Sequence, residues 1–359
     1  MAANDSYNRA VASADPAITP GLGGAAAIAA FPPYHAPWWL RSPHLQTMLG
    51  SSPWRIRRGA ELLAATGAVH TEHLVDGGEG VRLQGVHSVV PGVHPRGLAL
   101  LLHGWEGSAE SSYMRLTAAQ FLKRGFAVFR LNFRDHGDSH HLNEALFHSN
   151  RIDEVVHAAC DVSRKLLPAG SPLVAAGYSL GGNFALRLAL RAPAAGLALA
   201  RVAAVCPVLD PAQTMLQMER GRRVYLRHFE NKWRASLLRK RALFPQRHDF
   251  DERTLKLHMR ELTEWLVQRH TDFGSLDAYF DGYSIAGERL ARMDVAADIL
   301  MAADDPVIPL AEFRALALPA HAHLELTTHG GHCGFLLNAR MDGYAEAWVA
   351  HRLSETAPP

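Results

Sequence analysis

Cysteine is scarce in this 359-residue chain: Cys160, Cys206 and Cys333 are its three, far apart in sequence. So few exclude a disulfide scaffold or a zinc ribbon and fit a reducing compartment. No apolar run reaches the roughly 20 residues that a membrane span needs. The soft stretch of the N-terminus, GLGGAAAIAA at 21–30, is too short, and the N-terminus lacks the order of a secretion signal. A soluble, cytoplasmic protein is the expectation. Net charge is small too. Lys and Arg number 37 and Asp and Glu 35, a formal +2, which excludes nucleic acid bound through bulk charge. What the chain has in quantity is apolar: 48% of residues are hydrophobic and 20% charged, ample for a large core.

The pattern divides the chain into a flexible tail over 1–30, a core over 31–210 and 286–359, and a helical insertion over 211–285. Residues 31–60 carry five prolines and the tryptophans Trp38, Trp39 and Trp54. They read as an irregular segment pinned to the body by its aromatics. From 70 onward a pair of strands around Gly77-Gly78 gives way to apolar strands alternating with single amphipathic helices. Such strands need crossovers and cover on both faces, so an α/β architecture with a mostly parallel sheet is expected. An insertion between late strands of such a sheet lands above the C-terminal strand ends, where ligands bind, and reads as a lid.

At one strand-to-helix junction stands Gly177-Tyr178-Ser179-Leu180-Gly181. This G-x-S-x-G pattern holds a serine on a strained turn at a helix N-terminus, where free N–H groups favour developing negative charge. Alone the pattern is weak; its place between an apolar strand and an amphipathic helix gives it weight. An acid and a base follow in the order Ser, Asp, His. Asp305 stands four residues before Pro309 and is favoured as the acid, which leaves Asp304 as a loop cap. His332, flanked by Gly331 and Gly334, is the better base, with His329 placed at the strand end. Acyl transfer also needs two N–H donors for the substrate oxygen. Leu180 and Trp105 are the candidates, and His103 reads as a loop anchor.

These residues resemble the α/β-hydrolase superfamily and, within it, the YheT-like branch. The resemblance runs from about 31 to 352. It rests on Trp38-Trp39-Leu40 with Pro43-His44-Leu45-Gln46-Thr47, then HGWEGSAESSY (103–113), NFRDHGDS (132–139), GYSLGGN (177–183), ADDP (303–306) and GGHCGF (330–335). It implies an α/β-hydrolase fold and a serine hydrolase of carboxylic esters, among them short- and medium-chain acyl esters, acylglycerols or phospholipids; some relatives are acyltransferases. One departure is Asp135, where the family usually has glycine in R-G-H-G. It is expected to add a carboxylate near the site mouth.

Residues 211–270 hold 14 basic and 7 acidic side chains, so the neutral total hides a basic insertion on an acidic body. Within it Leu226, Phe229, Trp233 and Leu237 share one helical face. Phe229 and Trp233, with Tyr178, are the expected substrate-binding side chains, and the basic face could meet an anionic membrane. Histidine is abundant at 21, yet no H-E-x-x-H or paired C-x-x-C occurs and the H-x-H of His321 and His323 stands alone, so neither metal nor cofactor is expected. His148 and Asp153 match an H-x-x-x-x-D spacing but read as a helix start. Cys333 reads as a packed thiol. The expected partner is a small-molecule or lipid ester, with no nucleic acid and no obligate protein partner. Acyl transfer to an alcohol and non-catalytic lipid binding are the alternatives.

Overall fold

Short apolar runs with no polar face must be covered on both sides, and here they form the centre of one eight-stranded sheet. The computed structural model describes residues 31–355; the tail expected over 1–30 lies outside them. Every residue of β3 (Leu98–Leu102), β4 (Ala127–Asn132) and β5 (Leu173–Tyr178) is buried. β6 (Leu199–Val205) and β7 (Ala296–Ala302) follow the same pattern with one less buried position each. The edges are wetter: β1 (Val69–Asp76) is mostly exposed, β2 (Arg82–Val89) is mixed, and β8 (Ala322–Thr327) closes the far side.

The strand order is β1-β2-β4-β3-β5-β6-β7-β8. The β1/β2 and β2/β4 pairs are antiparallel and the remaining pairs parallel. Chain order reverses at β3, whose two neighbours are β4 and β5. The C-terminal ends of β3 and β5 therefore open side by side at a topological switch point. Covering the sheet are α3 (Ser112–Lys123), α4 (Ile152–Leu166), α5 (Leu180–Arg191), the short α11 (Ala311–Arg314) and the last helix, α12 (Tyr344–Ser354).

The segment over 31–60 corrects the expectation. It is helical, with a 3-10 turn at Trp38–Leu40, then α1 (Pro43–Gly50) and α2 (Pro53–Ala64). Two of its prolines start helices: Ser42-Pro43 and Ser52-Pro53 each place a serine at the N-cap and a proline at the first helical position. The tryptophans are not its pins, since Trp38 is 80% and Trp54 70% exposed. The pins are Gln46 and Arg55, both fully buried.

Between β6 and β7 lies the insertion: α6 (Pro211–Arg220), α7 (Arg223–Leu243), α8 (Glu252–Lys256), α9 (Met259–His270) and α10 (Leu276–Tyr283). On α7 the expected face packs inward, with Trp233 and Leu237 buried and Leu226 and Phe229 partly so. Asp135 also departs from expectation. Its carboxylate is buried beneath α7, paired with Lys240 Nζ at 2.6 Å and accepting from the Phe147 N–H at 2.9 Å. Its backbone has φ 59°, a left-handed turn that Asp tolerates. It anchors the insertion and leaves the site mouth without the expected charge.

Candidate active site

The strand β5 ends in a turn that only glycine permits on both sides of Ser179. A Cβ on Gly177 would lie 2.0 Å from the Gly181 carbonyl oxygen, and one on Gly181 would lie 2.3 Å from that of Leu102. Ser179 itself is held at φ 55° and ψ −119°, outside the comfortable regions for an L-residue. Its N–H donates to the Val205 carbonyl at 2.9 Å, which ties the elbow to β6.

Sequence-distant groups converge on this hydroxyl. His332 Nε2 lies 2.9 Å from Ser179 Oγ, and His332 Nδ1 lies 2.8 Å from Asp305 Oδ2. The other Asp305 oxygen accepts the N–H groups of Val307 at 2.8 Å and Ile308 at 3.0 Å, which fixes the carboxylate. Burial disfavours charge on His332, but the Asp305 carboxylate outweighs it and lifts the imidazole to about 9. Asp304 caps the histidine loop by accepting from the Gly331 N–H at 2.9 Å and stands 3.4 Å from His329. His329 itself lies just beyond β8.

The loop after β3 runs directly past the elbow. A Cβ on Gly104 would sit 3.3 Å from the Tyr178 oxygen and 3.4 Å from Ser179 Cβ. Among the described residues, the N–H groups of Trp105 and Leu180 donate to no protein acceptor. Two free donors beside a strained serine suit an oxygen that gains charge. His103 anchors this loop: Nδ1 meets the Gly104 oxygen at 2.8 Å and Nε2 accepts from the Phe133 N–H at 3.1 Å. Burial holds its imidazole well below the usual range, so it stays neutral.

Above these groups lies a cavity of about 470 Å³, walled by side chains of the core, α1 and the insertion. Its apolar lining includes Met215, Met218, Met259, Leu266 and Phe280. Phe229 stacks on the Trp105 ring at 5.4 Å, and Trp233 meets the same ring edge-on at 5.4 Å. The two expected lid residues therefore reach the loop that carries a free donor. Tyr178 lines the cavity, but its hydroxyl is bound to that of Thr117 at 2.6 Å and is not free for a substrate. His148 also lines it, with burial lowering its pKa to about 3. Asp153 instead turns outward to Arg191, so the H-x-x-x-x-D spacing does not join its two residues.

Sequence reasoning missed the groups that hold the histidine loop. Thr47 Oγ1 accepts the His332 N–H at 2.9 Å, Gln46 Oε1 accepts the Leu336 N–H at 2.8 Å, and Arg55 donates to the Gly334 oxygen at 3.2 Å. Gln46 in turn donates to the Tyr34 hydroxyl, and Arg55 pairs with buried Glu346 at 2.5 Å. The segment Pro43-His44-Leu45-Gln46-Thr47 was the available signal, but nothing in its spacing pointed to a loop near 332. Glu106 was missed as well. It lines the cavity in a left-handed conformation (φ 54°), and burial raises its carboxyl to about 8 against the pull of Lys232.

Comparison with known proteins bears on the family and the fold. The model of the alpha/beta hydrolase family matches residues 99–347. A protein of Escherichia coli (strain K12) named "Putative esterase YheT" is 29% identical over 269 residues, covering 71% of this chain and 75% of that protein. Among solved structures, an esterase of Pyrococcus furiosus superposes with a TM-score of 0.55 at 14% identity, over 82% of this chain and 91% of its own. A hyperthermophilic esterase from the archaeon Pyrobaculum calidifontis gives 0.53 at 15% identity, over 88% and 98%. At such identities the two structures speak for the fold. The chain belongs to the alpha/beta hydrolase family.

Proposed function

We propose that the protein is a serine hydrolase of carboxylic esters with an apolar acyl group. The observation that carries the reading is the hydrogen-bonded line from Ser179 through His332 to Asp305 at the base of an apolar cavity. In the proposed reaction Ser179 Oγ attacks the acyl carbon while His332 Nε2 takes its proton. The N–H groups of Trp105 and Leu180 hold the oxygen as its charge grows. His332 then gives the proton to the leaving alcohol, and water activated by the same ring releases the acid. Asp305 orients the imidazole and stabilises its charged form. Side chains and backbone of this chain supply every group these steps use. The names of the YheT relative and of the superposed esterases support this choice of substrate class.

The cavity rim extends the proposal to where the ester is met. Met48, Ile56 and Val224 line the cavity and are themselves exposed, Met48 by 57%. The carboxylate pairs of α7 engage Arg234, Arg239, Lys240 and Arg241. Arg222, Arg223 and Arg227 enter no ion pair among the described residues, whereas Lys232 donates to the Glu106 carbonyl at 3.0 Å. An apolar rim beside unpaired cations suits an anionic lipid surface.

The test is a p-nitrophenyl ester series of rising chain length on wild type and Ser179→Ala, with fluorophosphonate labelling of the folded protein. Labelling at Ser179 and loss of turnover in the variant are expected. A folded protein that is neither labelled nor active on any ester of the series would sink the hydrolase. Sedimentation with phosphatidylglycerol vesicles, but not with phosphatidylcholine ones, is the expected outcome for the rim.

A further inference from the structure

Two of the three cysteines, apart in sequence, meet behind the catalytic histidine. Cys206 follows β6, and Cys333 follows His332. The Cys206 thiol lies 3.8 Å from the Gly331 oxygen, and the Cys333 thiol lies 3.7 Å from the Val205 oxygen. The contacts are reciprocal and bracket His332 in the chain. Both cysteines hold left-handed backbone, φ 44° and 56°, so neither position is one that a side chain takes without constraint.

The sulfurs of Cys206 and Cys333 and a ring nitrogen of His332 all lie within 4.8 Å of one another. Cys333 and His332 line the cavity, whereas Cys206 is fully buried behind them. Two thiols and an imidazole form a soft donor set that selects Zn²⁺ or Cd²⁺ over Mg²⁺ and Ca²⁺. Tetrahedral zinc takes sulfur at roughly 2.3 Å and nitrogen at roughly 2.0 Å, so a modest inward rotation of these side chains would close the set.

We propose that Cys206, Cys333 and His332 form a binding site for a thiophilic divalent cation, reached through the substrate cavity. On binding, two S–H bonds break and the charged imidazole gives up the proton on its ligating nitrogen; two metal–thiolate bonds and one metal–nitrogen bond form, the three protons pass to solvent, and no electrons are transferred. The imidazole nitrogen completes the set with its lone pair. Both ring nitrogens are already engaged, by Asp305 and by Ser179, so the cation competes with the catalytic arrangement. Occupation is therefore inhibitory and reversible, a consequence that rests on the proposed hydrolase reading. Binding itself does not rest on it.

The test titrates the reduced full-length protein with Cd²⁺ and follows the thiolate-to-cadmium charge-transfer band in the ultraviolet. One equivalent should bind to wild type and to Ser179→Ala, which removes turnover and leaves the donor set intact. Cys333→Ser and Cys206→Ser should each lose the band. Zn²⁺ should inhibit ester turnover of wild type and be reversed by a chelator, while Cys333→Ser should need roughly 10-fold more or beyond. Circular dichroism checks folding of each variant; if Cys206→Ser does not fold, Cys333→Ser alone decides. No band in wild type, or a band that survives in Cys333→Ser, overturns the site. A wild type that binds Cd²⁺ but turns over no ester refutes the hydrolase reading and leaves the site standing.

Discussion

The Asp305 carboxylate, more than any other group, decides how His332 behaves. Burial alone would weaken the hold of the imidazole on its proton, yet Asp305 at 2.8 Å reverses the balance and raises the ring to about 9. A general base must be neutral, so kcat/KM is predicted to rise as pH climbs from about 6.5 toward 9. Stability runs the other way. The folded pKa lies above the unfolded one, so the pairing contributes fully below about 6.5 and is lost as pH rises through about 9. Asp305→Asn leaves burial opposed only by the neighbouring Cys333: the inflection should move below its wild-type position and kcat should fall about 10⁴-fold. A pH profile of both proteins checks this, and an unmoved inflection would contradict it. At this scale the sequence was informative where chemistry is local. The glycines around Ser179 and the spacing of Asp305 from Pro309 follow from short-range geometry. Tyr178 lines the cavity, but that its hydroxyl is engaged by Thr117 was not legible, because that partner is 61 positions away.

Helix α1 acts at a distance in sequence and at contact in space. Thr47 Oγ1 meets the His332 N–H inside the loop that aims the imidazole, and Gln46 holds the same loop at Leu336. Thr47→Val keeps the shape and removes the acceptor, leaving a part-buried N–H unsatisfied at a cost of about 1–3 kcal/mol. If that cost falls on the aim of His332, kcat should drop about 10-fold or more with little change in KM, since the cavity wall keeps its volume. Steady-state kinetics on a short-chain ester separate the two, and a KM effect alone would assign Thr47 to substrate binding. On α7, Phe229→Ala should lower turnover of octanoate esters more than of acetate esters, because the ring closes the cavity over Trp105. Equal losses would place Phe229 in support of the Trp105 donor alone. The α/β alternation was readable because its period is carried by neighbouring residues. The helices over 43–64 were not, because a proline signals either irregular chain or a helix start, and the serine before it decides.

At the scale of the whole molecule, the insertion is fastened to the body by charge hidden from water. Lys240, on α7, places its ammonium in a closed site formed by Asp135 Oδ1 and the carbonyls of His140 and Asn143. Burial pushes the Asp135 carboxyl up and the Lys240 ammonium down, so each depends on the other to stay charged. Composition showed a basic insertion over an acidic body, but not that one pair of those charges would lie inside the junction. A buried pair is costly to break and inexpensive to replace as a unit. Asp135→Asn keeps the left-handed turn and strands the ammonium, so it should cost about 3–5 kcal/mol of stability. Adding Lys240→Met removes the stranded charge, and the double variant should regain most of that loss. Denaturant unfolding of the two single variants and the double closes the cycle, and amide exchange along α7 tells where the molecule opens. Exchange should quicken in α7 of Asp135→Asn before it quickens in β5. If the double variant is no more stable than Asp135→Asn, the pair is not what fastens the insertion, and the aromatic contacts of Phe229 and Trp233 with Trp105 must hold it instead.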